Sequence, residues 1–351
     1  MKDVMSKMSW FITKQPRVLA LSPRRGSTLG PRERESTPEP PSGIDAMTGP
    51  STVAQRYLLV HEYVGHCFSG WQKQPEGVKT VQSVLERAVS EFIGYETIVM
   101  GSSRTDTGVH ALANTCHVDL CRRPRKTNST ECEDSELEIA PKRRPYSCYD
   151  VRKAINARIG EDQVRVTRVV KVGPDFHARF QAKGRTYFYR IACGPSDGLM
   201  SLFHSGQCWD VTKDLDVSLM RKAAALLVGT HDFSSFRTSK CQATSPVKTL
   251  ESLKVEVDDG RHYWPMRYLG DEVTRRRNLL VTATARSFLY HQVRLMVGLL
   301  KAVGCGEIRL EDVSAILEAR DVQALRTAMA PAHGLYLANV EYDPKDFEDG
   351  D

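Results

Sequence analysis

Apolar and polar positions along this chain fall into two rhythms, one of period two and one of three to four, beginning near residue 56. Residues 56–63 form a largely apolar run that reads as a first strand, and Thr80 stands as a helix N-cap before Val81, Val84, Leu85, Ala88, Val89 and Phe92. Those positions share one face of a helix. Residues 97–100 and 111–120 are strand-like, the second with the alternation of a half-buried strand. Residues 149–159 then predict a helix and 164–172 a strand. In the run from 185 to 190, Tyr187 and Tyr189 share one face and Phe188 takes the other. Later elements are helices over 215–228, 288–300 and 310–317, and strands near 248–257, 277–286 and 334–342.

Strand, helix, strand, loop, strand is half of a ferredoxin-like unit, and the later elements repeat that order. The pattern therefore predicts an α+β chain of two ferredoxin-like (RRM-like) halves, 53–204 and 205–343, joined through a mainly antiparallel sheet with a central cleft. Three stretches stand outside it. Residues 1–52 are rich in Ser, Pro and Arg and cannot bury enough apolar surface to offset ordering entropy. The first 32 residues hold seven Lys or Arg against one acid, Asp3. Two readings stand side by side for them, a mitochondrial or plastid transit peptide and a plain flexible tail, so the compartment, mitochondrial or cytoplasmic and nuclear, stays open. Residues 121–147 mix basic and acidic blocks and read as a solvated insertion whose basic ends can touch an RNA backbone. Residues 344–351 are an acidic tail.

Charge and cysteines narrow the classes. Lys and Arg number 49 and Asp and Glu 43 among 351 residues, a formal charge of +6 that favours a polyanionic partner without requiring one. Nine scattered cysteines without a Cys-x-x-Cys pair argue against a disulfide framework or zinc knuckle and for a reducing compartment. No run approaches the roughly 18 apolar residues of a membrane span.

Candidate chemistry centres on residues 101–110, GSSRTDTGVH, between two strand-like runs. Asp-x-Gly by itself is turn geometry. Arg104, Asp106 and His110 together in one short loop on rigid supports are also how catalytic groups are commonly held. His61 and His66 invite a zinc reading with His110 and Asp106, but five residues place the first two about 140° apart on a helix. Tyr187 and Tyr189 read most simply as a cross-strand aromatic ladder. His291, Arg294, Gly298 and Lys301 form a narrow polar stripe that spacing turns toward water.

The loop SSRTDTGVH resembles the signature of the TruA family of tRNA pseudouridine synthases, R-T-D-x-G-V-H. Further stretches match in the family's order: residues 65–75, GHCFSGWQKQP, with Val64 where many members have Asp; 175–190, DFHARFQAKGRTYFYR; 229–237, GTHDFSSFR; 288–300, FLYHQVRLMVGLL; and 334–337, GLYL. The resemblance implies an isomerase that converts uridine to pseudouridine in the anticodon arm of tRNA, with no cofactor and no metal, acting as a homodimer in which both subunits contact one tRNA. By resemblance Asp106 is the catalytic carboxylate, Arg294 its cationic partner, Tyr187 the ring that stacks on the target base, and Arg104 a phosphate or nucleotide-displacing contact. Attack at C1′, addition at C6 and proton removal from C2′ all remain open for Asp106. A non-catalytic RNA-binding or tRNA-folding protein and a metal-dependent hydrolase using His61, His66, His110 and Asp106 are the rival readings.

Overall fold

Thr80 caps the first helix as its sequence predicts. Its side chain accepts from the Ser83 N–H at 3.2 Å while the Ser83 hydroxyl accepts from the Thr80 N–H at 3.1 Å, a reciprocal box that satisfies two orphan donors. Helix α1 (Val81–Ile93) follows, burying Val81, Val84, Leu85, Ala88 and Val89, and ends on Gly94 with left-handed φ. The computed structural model describes residues 54–122, 144–195, 205–258 and 276–347. The N-terminal extension, most of the charged insertion, Arg275 and the end of the acidic tail lie outside the described residues.

Among the described residues, ten strands form one mixed, mainly antiparallel sheet, with five helices packed on it. The strands are β1 (Gln55–Tyr63), β2 (Met100–Gly101), β3 (His110–Leu120), β4 (Val164–Val172), β5 (Gly184–Cys193), β6 (Trp209–Val211), β7 (Gly229–Asp232), β8 (Val247–Asp258), β9 (Arg277–Ala285) and β10 (Leu335–Glu341). The remaining helices are α2 (Cys148–Ile159), α3 (Val217–Leu227), α4 (Gln292–Gly304) and α5 (Leu310–Glu318). The sheet order is β4-β1-β3-β10-β5-β9-β8-β7, with β2 on β3 and β6 on β5. Among the described strands only β10–β3 and β5–β6 are parallel pairs. The last strand in sequence thus lies between β3 and β5, setting Tyr336 opposite His110 on one side and Phe188 on the other. Their rings form a stack, with centroids 4.6 Å and 4.8 Å apart.

Buried apolar side chains gather in two clusters. One includes Leu59, Leu85, Val118 and Ile155, under β1, β3 and β4. The other includes Tyr189, Met220, Val281 and Leu300, under β5, β8 and β9. Tyr187 packs against both. Among the described residues no helix is long and apolar enough to cross a membrane.

Two expected elements are corrected. The strand over 97–100 shrinks to the two residues of β2, and Ile98 is exposed, because only Met100 and Gly101 meet β3. The helix over 288–300 begins at Gln292 and runs on to Gly304, because His291 adopts left-handed φ 66 and ψ 2, which a right-handed helix excludes.

Two buried histidines make the fold sensitive to acid. His61 Nε2 accepts from the Trp71 indole at 3.2 Å, and His117 Nδ1 accepts from the Ala178 N–H at 3.1 Å. Burial pushes both imidazoles from 6.5 down to about 4, with Arg56 adding to the effect at His117. Their folded values lie below the unfolded one, so their stabilisation is present above about pH 6.5 and is lost as pH falls toward 4. The urea midpoint should drop across that window. His61→Gln, which keeps an acceptor for Trp71 but does not titrate, should show a shallower drop; an identical drop would rule His61 out as a cause.

Candidate active site

Strands β2 and β3 pair as Met100 with His117 and Gly101 with Cys116, so the intervening loop leaves and re-enters the sheet at one place. Its backbone is tied down on several sides. Ser102 N–H donates to Thr115 O at 2.8 Å, and Trp71 N–H donates to Thr105 O at 3.1 Å. The Thr105 hydroxyl bonds the buried Tyr63 hydroxyl at 2.8 Å, which accepts from Asn114 at 3.1 Å. Asn114 also donates to Ser103 O at 3.2 Å. The tip is a turn in which Val109 N–H donates to Asp106 O at 3.1 Å, with Gly108 at φ 81. That positive φ at the third turn residue is where glycine avoids a Cβ clash. Beneath the tip, a Cβ on Gly65 would sit 2.0 Å from Val109 O, so the loop after β1 packs backbone to backbone against it.

This scaffold buries Ser102, Ser103 and Thr105 and leaves Arg104 exposed. The Asp106 side chain is 18% exposed; its Oδ2 accepts from Arg294 Nη1 at 3.1 Å, and His291 Nε2 lies 3.2 Å from the same oxygen. Arg294 is anchored in turn. Its Nε donates to Ala330 O at 2.8 Å and its carbonyl accepts from the Ala330 N–H at 3.2 Å. Gly298, one turn on, permits this approach, since a Cβ there would lie 2.4 Å from Ala328 O.

A cavity of about 940 Å³ is lined by Asp106, Arg104, Tyr187, His291 and Arg294. Tyr187 stands edge-on to Phe288, with ring centroids 5.3 Å apart. Burial raises its hydroxyl to about 12; Arg185 opposes the rise, the Asp106 charge adds to it and a bond to Ser103 opposes it. The phenol is therefore neutral at ordinary pH. Exposed Arg104 and Arg179 and a markedly exposed Phe180 also line the cavity, giving it a basic and aromatic wall suited to nucleic acid.

The four residues singled out by resemblance thus line one cavity, and Asp106 and Arg294 are in contact across 188 positions of sequence. Arg104 has no hydrogen bond or ion pair among the described residues. The polar stripe on α4 does not face water as a unit. Arg294 turns to Asp106, Gly298 packs on the 328–330 backbone and Lys301 pairs with Glu307.

Spacing gave no role to two residues that matter here. His291 reaches the carboxylate from outside α4. Arg185 donates from Nε to the Ser103 hydroxyl at 3.0 Å and from Nη2 to Ser102 O at 3.0 Å and Arg179 O at 3.2 Å, lacing the loop to β5 and the 176–182 turn. Its position in the motif was visible, but its partners were not. For the metal reading, His61 accepts from Trp71 and His110 accepts at Nδ1 from the Gly65 N–H at 3.1 Å. Among the described residues no group of three or more His, Cys, Asp or Glu is placed to share an ion.

Comparison with known proteins gives the family. A family model described as tRNA pseudouridine synthase matches residues 59–181 and 223–343. The chain is 40% identical over 287 residues to a tRNA pseudouridine synthase A from Maricaulis maris (strain MCS10), covering 82% of this chain and 98% of that protein. It is 41% identical over 288 residues to the protein of that name from Rhodospirillum centenum (strain ATCC 51521 / SW), covering 82% and 100%. A third, from Roseobacter denitrificans (strain ATCC 33942 / OCh 114), is 36% identical over 293 residues, covering 84% and 97%.

Proposed function

Because this chain belongs to the TruA family of tRNA pseudouridine synthases, we propose that it isomerises uridine to pseudouridine in the anticodon arm of tRNA. The N1–C1′ bond breaks, the base turns, a C5–C1′ bond forms, the C5 proton leaves and N1 gains one. No electrons are gained or lost overall.

The observation that carries this reading is the Asp106 carboxylate, clamped by Arg294 and His291 on the wall of a cavity that also presents a neutral tyrosine. A carboxylate shielded from water needs a nearby cation and donors to stay ionised. Asp106 is the group we assign to the sugar–base bond, and attack at C1′, addition at C6 and proton removal from C2′ all suit an ionised carboxylate. The same arrangement weighs against a purely RNA-binding protein, because a negative group in the pocket repels phosphate and adds nothing to affinity.

A uridine in a stem must leave its stack to reach Asp106, at a cost of a few kcal/mol. Stacking on Tyr187 returns roughly 1–3 kcal/mol per base. Arg104, exposed and without a protein partner among the described residues, is assigned to the RNA backbone or to holding the nucleotide out of its helix. The two apolar clusters, each under its own strands and helices, support the reading of two ferredoxin-like halves whose sheets merge. Assembly as a homodimer around one tRNA belongs to the same proposal.

The test is to incubate the purified protein with unmodified tRNA transcripts and map pseudouridine. New pseudouridine confined to the anticodon arm supports the proposal; transcripts left unmodified would refute it. Tyr187→Phe separates the ring from its hydroxyl. It should keep tRNA affinity and much of the stacking while slowing single-turnover conversion, and turnover equal to wild type would confine Tyr187 to stacking and packing.

A further inference from the structure

We propose that His291 is a positioning residue for the isomerisation, a second donor that fixes the plane of the Asp106 carboxylate and leaves one chosen oxygen to react. This rests on the reading of Asp106 given above. Both nitrogens converge on the same atom, Oδ2: Nη1 of Arg294 donates to it at 3.1 Å, and Nε2 of His291 lies 3.2 Å from it. Oδ1 has no hydrogen-bond partner among the described residues, and the residue lines the cavity. A carboxylate turns in a broad, two-fold torsional well about its last bond. One donor permits such turning, whereas two donors arriving from separate backbone sites oppose it. His291 therefore does not duplicate Arg294. The arginine supplies charge, and the imidazole supplies the second point that defines a plane.

Three features hold the imidazole in place. The residue sits just before α4 in left-handed conformation, φ 66 and ψ 2, so its side chain leaves the chain in a direction a helical residue at that position lacks. Its ring stacks on Tyr290 with centroids 3.7 Å apart. Nδ1 lies 3.4 Å from the Thr238 hydroxyl. A hydroxyl donating to Nδ1 leaves the proton on Nε2, the atom that faces Asp106. Left-handed backbone is rare in residues other than glycine and concentrates where function demands a particular side-chain direction. Here the strained residue is also one of the two that touch the carboxylate.

Two variants separate backbone from donor. His291→Gly relieves the left-handed strain but removes the donor; His291→Gln places an amide N–H near the position of Nε2 but adds no backbone relief. With tRNA transcript as substrate, the glycine variant should lose about 10- to 100-fold in kcat, the range expected for a hydrogen bond to a charged group, with KM nearly constant. The glutamine variant should stay within about threefold of wild type in kcat while melting lower than the glycine variant. A glycine variant with wild-type kcat, or one at least as active as the glutamine variant, would overturn the proposal and leave His291 a backbone residue only. A wild-type protein that forms no pseudouridine under the same conditions would instead sink the function proposed above, so the two failures are distinguishable.

Discussion

Asp106→Asn should reduce pseudouridine formation by at least about 10⁴-fold, the scale seen when an indispensable catalytic side chain is removed, while tRNA affinity stays within a few-fold. The substitution is nearly isosteric, and the loop that carries it is held by bonds that do not involve the carboxylate: Trp71 to Thr105, Asn114 to Ser103 and Ser102 to Thr115. The asparagine amide has one acceptor oxygen, and orienting it toward Arg294 and His291 preserves both contacts to the former Oδ2. The cavity side then presents an NH₂ group, which neither attacks a sugar carbon nor takes a proton. Fold and binding should therefore persist, measurable as an unchanged melting temperature and an unchanged filter-binding curve. Substantial pseudouridine made by the purified variant would end the assignment of Asp106 as the reacting group.

Arg294→Met should be the next most damaging change, costing about 10²- to 10³-fold in kcat and about 3 kcal/mol in stability. Methionine fills much of the arginine's volume but strands Ala330 O and leaves Asp106 Oδ2 without its guanidinium, with only His291 beside it, in a site where the arginine and aspartate side chains are only 12% and 18% exposed. Arg294→Lys should recover little, since a single ammonium cannot reproduce the fork that reaches Ala330 through Nε and Asp106 through Nη1. A double-mutant cycle in urea provides the check. Combined with Asp106→Asn, Arg294→Met should destabilise by less than the sum of the two single changes, because the side chain that loses its guanidinium is then no longer charged. Strict additivity would mean that the ion pair contributes nothing, and a wild-type kcat in Arg294→Met would remove the arginine from the mechanism.

The anticodon-arm substrate and the carboxylate mechanism follow different lines of support. The family assignment rests on two matched segments and on relatives aligned across nearly their whole length, so it does not depend on any one side chain. The roles of individual residues depend on geometry, and each of the substitutions above addresses one contact. The basic and aromatic wall formed by Arg104, Arg179 and Phe180 links the two, since it places groups suited to a nucleic-acid backbone and its bases in the same cavity as the acid.

The sequence by itself determined the local pieces. Alternation drew β3 and β4, spacing and Thr80 drew α1, and the motif around Asp106 marked the loop, because each is written in residues a few positions apart that share a face or a cap. What only the tertiary structure decided are the long-range contacts. No local period foretells that a strand at 335–341 will slot between β3 and β5, or that Arg185 will bind the backbone of Ser102. Nor does periodicity reveal that α4 starts only after His291, because the helical rhythm runs on through that residue, whose φ is positive. The contacts from Arg294 and His291 to Asp106 exist only once distant segments are packed together, since the carboxylate they share lies nearly 190 residues away along the chain.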